Sequence, residues 1–149
     1  MAPPRFPTWV QRYRNIPYLE GGRTRAGLDC WGLVTLVWRE EMGVALPSHD
    51  GLFWAKGCDM KALGAQIDTF RGDYDPVPAG EEQPLDGVLL RLSGQPIHIG
   101  LVVCPGWMLH IARGIDTTIE EYRGALWRHR VLGFYRYRPP DGNAAGAAA

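Results

Sequence analysis

The sequence predicts an α+β domain, helices first and an antiparallel sheet after them. Residues 30–42 are apolar nearly all round and run up to a glycine, the pattern of a helix inside a core. Residues 88–137 hold four runs rich in β-branched and aromatic residues, spaced by loops and Gly/Pro turns. The chain has 149 residues, the length of one domain that buries a core without disulfides or metal.

Each element has a local cause. Thr8-Trp9-Val10-Gln11 has the form of a capping box and predicts a short helix to about Arg14. Ile16-Pro17-Tyr18 is expected to be extended, because proline pushes the preceding residue out of the helical region. Gly21-Gly22 and Gly27 mark an irregular loop. In the helix over residues 30–42, Leu33, Val34, Val37 and Trp38 take helical spacing, and Trp31 and Leu36 close the other side. Gly43 then stands near the C′ position. A second helix is predicted over residues 59–70, with Asp59 as cap and Met60, Leu63, Ile67 and Phe70 on one side. Residues 72–84 read as loop. Strands are predicted over residues 88–92, 97–103, 107–112 and 131–137. Residues 1–140 thus form a single domain, and the Gly/Ala-rich tail 141–149 has nothing to bury and is expected to be flexible.

Composition excludes several classes. Formal net charge is zero, so no global basic field argues for nucleic acid. No run is long and apolar enough to span a membrane. Charge is unevenly spread. Residues 40–86 carry ten acids against Lys56, Lys61 and Arg71, and residues 122–138 carry five arginines and no acid. That is either two solvated faces or a docking surface. Three cysteines, Cys30, Cys58 and Cys104, with no CxxC pair, form neither a disulfide framework nor a zinc knuckle, and no metal site is expected. The opening MAPPRFPTWVQRYRN lacks an apolar core, so no export signal is expected.

Chemistry points to Leu28-Asp29-Cys30-Trp31-Gly32-Leu33-Val34. If Asp29 caps the helix, Cys30 sits at its N-terminus. Unpaired N–H groups there lower a thiol's pKa and can stabilise an oxyanion. A small buried hydrophobe would fit the same place. A nucleophile needs a base, usually histidine. His49 and His129 fall in a loop and in the arginine-rich segment, where surface roles are expected. His98 and His110 lie on adjacent predicted strands. A three-residue loop over residues 104–106 pairs Val103 with Trp107, Gly100 with His110 and His98 with Ala112. The two histidines then share a face as diagonal neighbours roughly 7 Å apart. Gly100, opposite His110, leaves room for the ring. A two-residue loop would put the histidines on opposite faces unless a bulge compensates. Two unrelated strand histidines are the other reading.

Three pieces in this order resemble the NlpC-type cell-wall peptidases, a papain-like cysteine peptidase family. They are Pro17-Tyr18 with Gly21-Gly22; Asp29-Cys30-Trp31-Gly32-Leu33-Val34 with Leu46-Pro47; and Asp86-Gly87-Val88 with His98-Ile99-Gly100 and Met108-Leu109-His110. The resemblance implies a papain-like fold with Cys30 as nucleophile, His98 as general base and His110 orienting it. A hydrogen bond joining the Cys30 sulfur to one His98 nitrogen, with His110 on the other, is what that triad needs. Tyr18 matches a tyrosine near the nucleophile. Asp29 and Trp31 match positions that hold the substrate's free amine, with tryptophan standing where the family usually has serine. The implied substrate is the peptidoglycan stem peptide, cleaved through a thioester without a cofactor. Asp29-Cys30-Trp31-Gly32-Leu33 is similar to the versions carried by phage tails and gene transfer agents. That likeness implies a tail-borne endopeptidase with other tail proteins as partners, made in the host cytoplasm and carried in a virion or tail-like particle. A structural tail-tip or hub protein that keeps the fold with little activity is the alternative.

Overall fold

The computed structural model describes residues 4–47, 72–92 and 95–139. The helix expected over residues 59–70 and the tail at 141–149 lie outside the described residues. A short 3₁₀ helix, Thr8–Tyr13, leads into two two-residue strands, β1 (Arg23–Thr24) and β2 (Gly27–Leu28). Helix α1 (Cys30–Val37) follows and widens into a π-helical turn over Trp38–Met42. Six strands come next: β3 (Tyr74–Val77), β4 (Gly87–Leu92), β5 (Gln95–Cys104), β6 (Trp107–Ala112), β7 (Ile115–Glu121) and β8 (Val131–Tyr137). They form one antiparallel sheet in the order β3-β8-β4-β5-β6-β7. The α+β architecture is the one the sequence predicts.

The helix over residues 30–42 forms at its expected bounds, and Gly43 ends it at φ 69°, a left-handed cap that glycine adopts without strain. The N-terminal helix differs in kind. It is 3₁₀ and has no side-chain cap, because Pro7 stands at the N-cap position and Thr8 is already inside the helix. The strands at 107–112 and 131–137 form as predicted, and β4 and β5 extend slightly further. Besides the short β1 and β2, two strands of the six-stranded sheet, β3 and β7, lie in stretches that the sequence does not mark as strands. β3 carries Pro76, a residue that argues against a strand in a sheet interior. It is accommodated because β3 is an edge strand. β7 is the opposite edge, and its acids obscure an alternation of Ile115, Thr117 and Ile119.

The register between β5 and β6 decides where the histidines go. Leu101 pairs with Leu109 and Val102 with Met108, the pairing expected from the three-residue loop. The turn itself is shorter. Cys104 pairs with Trp107 across Pro105-Gly106, and a bulge at Val103 absorbs the extra residue. Gly106 takes φ 97° in that turn. The bulge restores the alternation that a two-residue loop would have inverted.

The sheet is apolar on both faces. Leu89, Ile99, Leu101, Leu109 and Ile111 share a core with Leu33, Val34, Leu36 and Val37 of α1. Val88, Leu90, Val102, Met108 and Phe134 form a second core with Tyr122 and Trp127, from the segment between β7 and β8. All eight α1 residues are buried. A helix with no polar face is held by burial on every side, with each large aliphatic side chain worth about 1.5–3 kcal/mol.

Candidate active site

Cys30 is the first residue of α1 and is buried. The Asp29 carboxylate caps the helix by accepting from the Gly32 N–H at 2.7 Å. It also accepts from the Gly21 N–H at 3.1 Å and from Arg23 at 2.7 Å. Asp29 is almost fully buried, so these three bonds are what make its charge tolerable. The loop at Gly21-Gly22 is pressed onto the first turn of α1: a Cβ on Gly32 would lie 2.1 Å from the Gly22 carbonyl oxygen. It is Gly32 that lets backbone meet backbone beside the cysteine; Gly22 makes its own close approach to the Gly27 carbonyl oxygen, which a Cβ would meet at 2.2 Å, and Gly21 takes φ 73°.

Tyr18 lies within electrostatic reach of Cys30. Its hydroxyl is raised above its ordinary pKa of 10, by burial first and then by the neighbouring Cys30, with Arg113 acting in the opposite direction. Arg113 follows β6 and also pairs with Glu20 at 3.2 Å. Trp31 is 1% exposed, its indole N–H donates to the Pro47 carbonyl at 2.8 Å, and its ring meets Tyr74 edge-on. The substrate-facing placement expected for Trp31 is corrected accordingly. Trp31 is a core residue, because α1 has no side that faces away from protein.

His98 and His110 come together as the register requires. His98 Nε2 lies 2.9 Å from His110 Nδ1, and both rings are fully buried. Trp127 stacks on His98 with centroids 6.1 Å apart and meets His110 edge-on at 5.2 Å. Burial holds the His98 pKa well below its ordinary 6.5, and the neighbouring His110 adds to the shift. Burial lowers His110 too, with Glu120 acting against it. Both imidazoles are therefore neutral at neutral pH. The other nitrogen of His98, Nδ1, is buried with no hydrogen-bond partner. The expected hydrogen bond from Cys30 to His98 is thus not made. The reason lies in the faces of the sheet. The histidines belong to the face under Trp127, and the side of α1 covers the other.

Three contributors escaped the sequence reading: Arg23 beside Asp29, Trp127 over the rings, and Glu120. Glu120 pairs with His110 Nε2. The signal for it was recoverable. His110 pairs with Thr118 across β6 and β7, which makes Glu120 the diagonal neighbour of His110. Without β7 in the predicted sheet, that neighbour could not be seen.

A buried helix opening on a cysteine, laid on an antiparallel sheet that couples two histidines, defines the papain-like α+β class. The sequence pattern of the NlpC/P60 family matches residues 15–136, and the chain belongs to the NlpC/P60 family. It is 24% identical over 131 residues to the gamma-DL-glutamyl hydrolase of Bacillus subtilis (strain 168), covering 86% of this chain and 28% of that protein. Its fold is that of an NlpC/P60 family protein from Bacillus cereus, with a TM-score of 0.62 at 18% identity, covering 87% of this chain and 38% of the other. It is also that of the NlpC/p60 domain of the peptidoglycan hydrolase SagA, with a TM-score of 0.53 at 17% identity, covering 87% and 92%. The chain thus spans under a third of the curated relative's length and nearly all of the isolated domain.

Proposed function

We propose that this domain is a cysteine peptidase that hydrolyses peptide bonds in peptidoglycan stem peptides. The observation that carries the reading is the His98–His110 couple, whose remaining nitrogen is bare, buried and neutral, in a fold whose core helix begins with Cys30. The Cys30 sulfur attacks the scissile carbonyl carbon as its proton passes to His98 Nδ1. His98 then gives that proton to the leaving amine. Water, deprotonated by His98, hydrolyses the thioester and restores the thiol. His110 holds the His98 ring. The side of α1 is committed to the other sheet face, so this mechanism requires the sulfur to reach His98 Nδ1 from the helix's N-terminal end, where Cys30 stands. Nucleophile–base contacts of this kind commonly tighten only when substrate is bound.

Asp29 already accepts three hydrogen bonds, one of them from Arg23, and is almost fully buried, so a substrate ammonium would have to compete with Arg23 for it. Cleavage within intact stem peptides, without selection for a free amine, is the reading this favours. We infer further that the enzyme is carried by a phage-type tail and opens the host wall during genome delivery, docked to other tail proteins. The likeness of Asp29-Cys30-Trp31-Gly32-Leu33 to tail-borne versions supports this, as does the separation of acidic and basic segments. One observation favours the alternative, a structural tail-tip protein with little activity: His98 Nδ1 makes no bond to the thiol.

The test is turnover on purified peptidoglycan, with soluble fragments identified by mass spectrometry. Wild type is expected to release stem-peptide fragments, and Cys30→Ala to release none while keeping its fold. Equal release by both proteins would overturn the catalytic assignment. No release by either would favour the structural reading.

A further inference from the structure

We propose that Glu120 is a fourth, positioning member of the site, whose carboxylate sets the tautomers of both histidines and so leaves His98 Nδ1 bare to act as the base. The inference extends the peptidase reading and rests on the chain Glu120–His110–His98, which spans three neighbouring strands.

The logic is one of donors and acceptors. A carboxylate only accepts, so the nitrogen facing it must carry hydrogen. That nitrogen is His110 Nε2. A neutral imidazole has one N–H, so His110 Nδ1 is then an acceptor. Its partner at 2.9 Å, His98 Nε2, must donate. His98 is neutral too, so its single hydrogen is spent on His110 and Nδ1 keeps a lone pair. That is the atom found buried with no hydrogen-bond partner. The carboxylate fixes the state of an atom two rings away without touching it. The lowered pKa values of both rings agree with the neutral forms that this requires.

The surroundings make Glu120 the group that breaks the tie. Without it, the pair has two arrangements of equal bond count: His98 donating to His110, or His110 donating to His98. In the second, the hydrogen of His98 sits on Nδ1 and the base is blocked. Trp127, which packs on both rings, offers them an aromatic surface rather than a competing carboxylate. The nearby cation, Arg130, lies over the Trp127 ring at 5.6 Å. When His98 takes the thiol proton, its charge faces His110, and the Glu120 carboxylate behind His110 partly offsets it.

The role is positioning, because Glu120 reaches the reacting atoms only through the two rings. Loss of a triad carboxylate in direct contact with the base costs ~10⁴ in rate, through the wrong tautomer. One ring further out, the effect expected for Glu120→Ala is about 10- to 100-fold in kcat, with KM little changed.

The deciding measurement is nitrogen-15 NMR of histidine-labelled protein at neutral pH. In wild type, both His98 and His110 are expected to carry hydrogen on Nε2 and none on Nδ1. In Glu120→Ala, His110 should lose that fixed form and His98 should show hydrogen on Nδ1 in part of the population. Glu120→Asp should restore the wild-type pattern in part. Nδ1–H on either ring of the wild type, or an unchanged pattern in a folded Glu120→Ala, would overturn the proposal. If Glu120→Ala does not fold, the wild-type spectrum and Glu120→Leu, which keeps the bulk and removes the acceptor, still decide it. The spectra read tautomers whether or not the protein turns over, so an inactive wild type would sink the peptidase reading and leave this result standing.

Discussion

Gly100 and His110 face each other across β5 and β6, so closely that a Cβ on Gly100 would come 3.2 Å from the Cβ of His110. It would also lie 3.1 Å from the Met108 sulfur and 3.3 Å from the Leu109 carbonyl oxygen. These contacts are tight on three sides, and the flexible thioether is the easiest to move. Gly100→Ala is expected to cost about 1–3 kcal/mol by overpacking. It should reduce turnover further than that loss explains, because it displaces the ring that holds His98. Urea denaturation and a peptidoglycan assay on the same preparation check this. Full activity in a folded Gly100→Ala would show that the position of His110 is not critical.

Acid is expected to destabilise the fold before the carboxylates begin to titrate. The folded pKa of His98 lies below 6.5, so below that pH the unfolded chain takes up a proton that the folded chain refuses. Stability therefore falls as pH drops from about 6.5 toward the folded value, and His110 contributes in the same sense. Glu82, whose pKa is lowered from 4.5, adds its own loss only at more acidic pH. Urea midpoints measured between pH 7.5 and 5.5 should decline, and the decline should be shallower in His98→Gln. A flat wild-type profile would contradict neutral buried histidines.

Much of this was legible in the sequence, and the gaps have physical causes. Helix α1 could be read because apolar residues on every side and a terminal glycine leave few alternatives. The pairing of His98 with His110 could be read because period-two alternation fixes which residues share a face. The turn type could not, since a three-residue loop and a two-residue loop with a bulge leave the same register. The edge strands β3 and β7 were hidden by Pro76 and by the acids of β7, both of which an edge tolerates. Losing β7 meant losing Glu120. The placement of Trp31 failed for a different reason. Its position beside the cysteine said where it lies in the chain, and only the packing of α1 says which way it points.

Asp86 shows how a motif residue can be structural. Arg136 grips it with two bonds of 2.9 Å, and the Gln83 N–H adds a third at 2.8 Å. The carboxylate is nearly fully buried, and the arginine is about half exposed. Arg136→Ala therefore leaves a buried charge short of partners and is expected to cost about 1–3 kcal/mol, more than an exposed ion pair is worth. Asp86→Ala with Arg136→Ala should cost less than the sum of the two singles. Purely additive losses in urea denaturation would mean that the pair is not coupled.

Trp31 offers the sharpest separation between a core role and a substrate role. If the indole lined the substrate site, Trp31→Ser would restore the family's usual residue, leave stability nearly unchanged and alter which peptides are cut. The burial says otherwise. Removing a ring that is 1% exposed and packed on Tyr74 opens a cavity beneath the loop at Pro47. The expected cost is about 3–5 kcal/mol, a large share of a typical domain's stability. Trp31→Phe keeps most of the volume and gives up the bond to the Pro47 carbonyl, for a loss nearer 1 kcal/mol. Thermal unfolding of the two variants should therefore rank wild type, Trp31→Phe and Trp31→Ser in falling order. A Trp31→Ser protein as stable as wild type, with a changed fragment pattern from peptidoglycan, would return Trp31 to the substrate site.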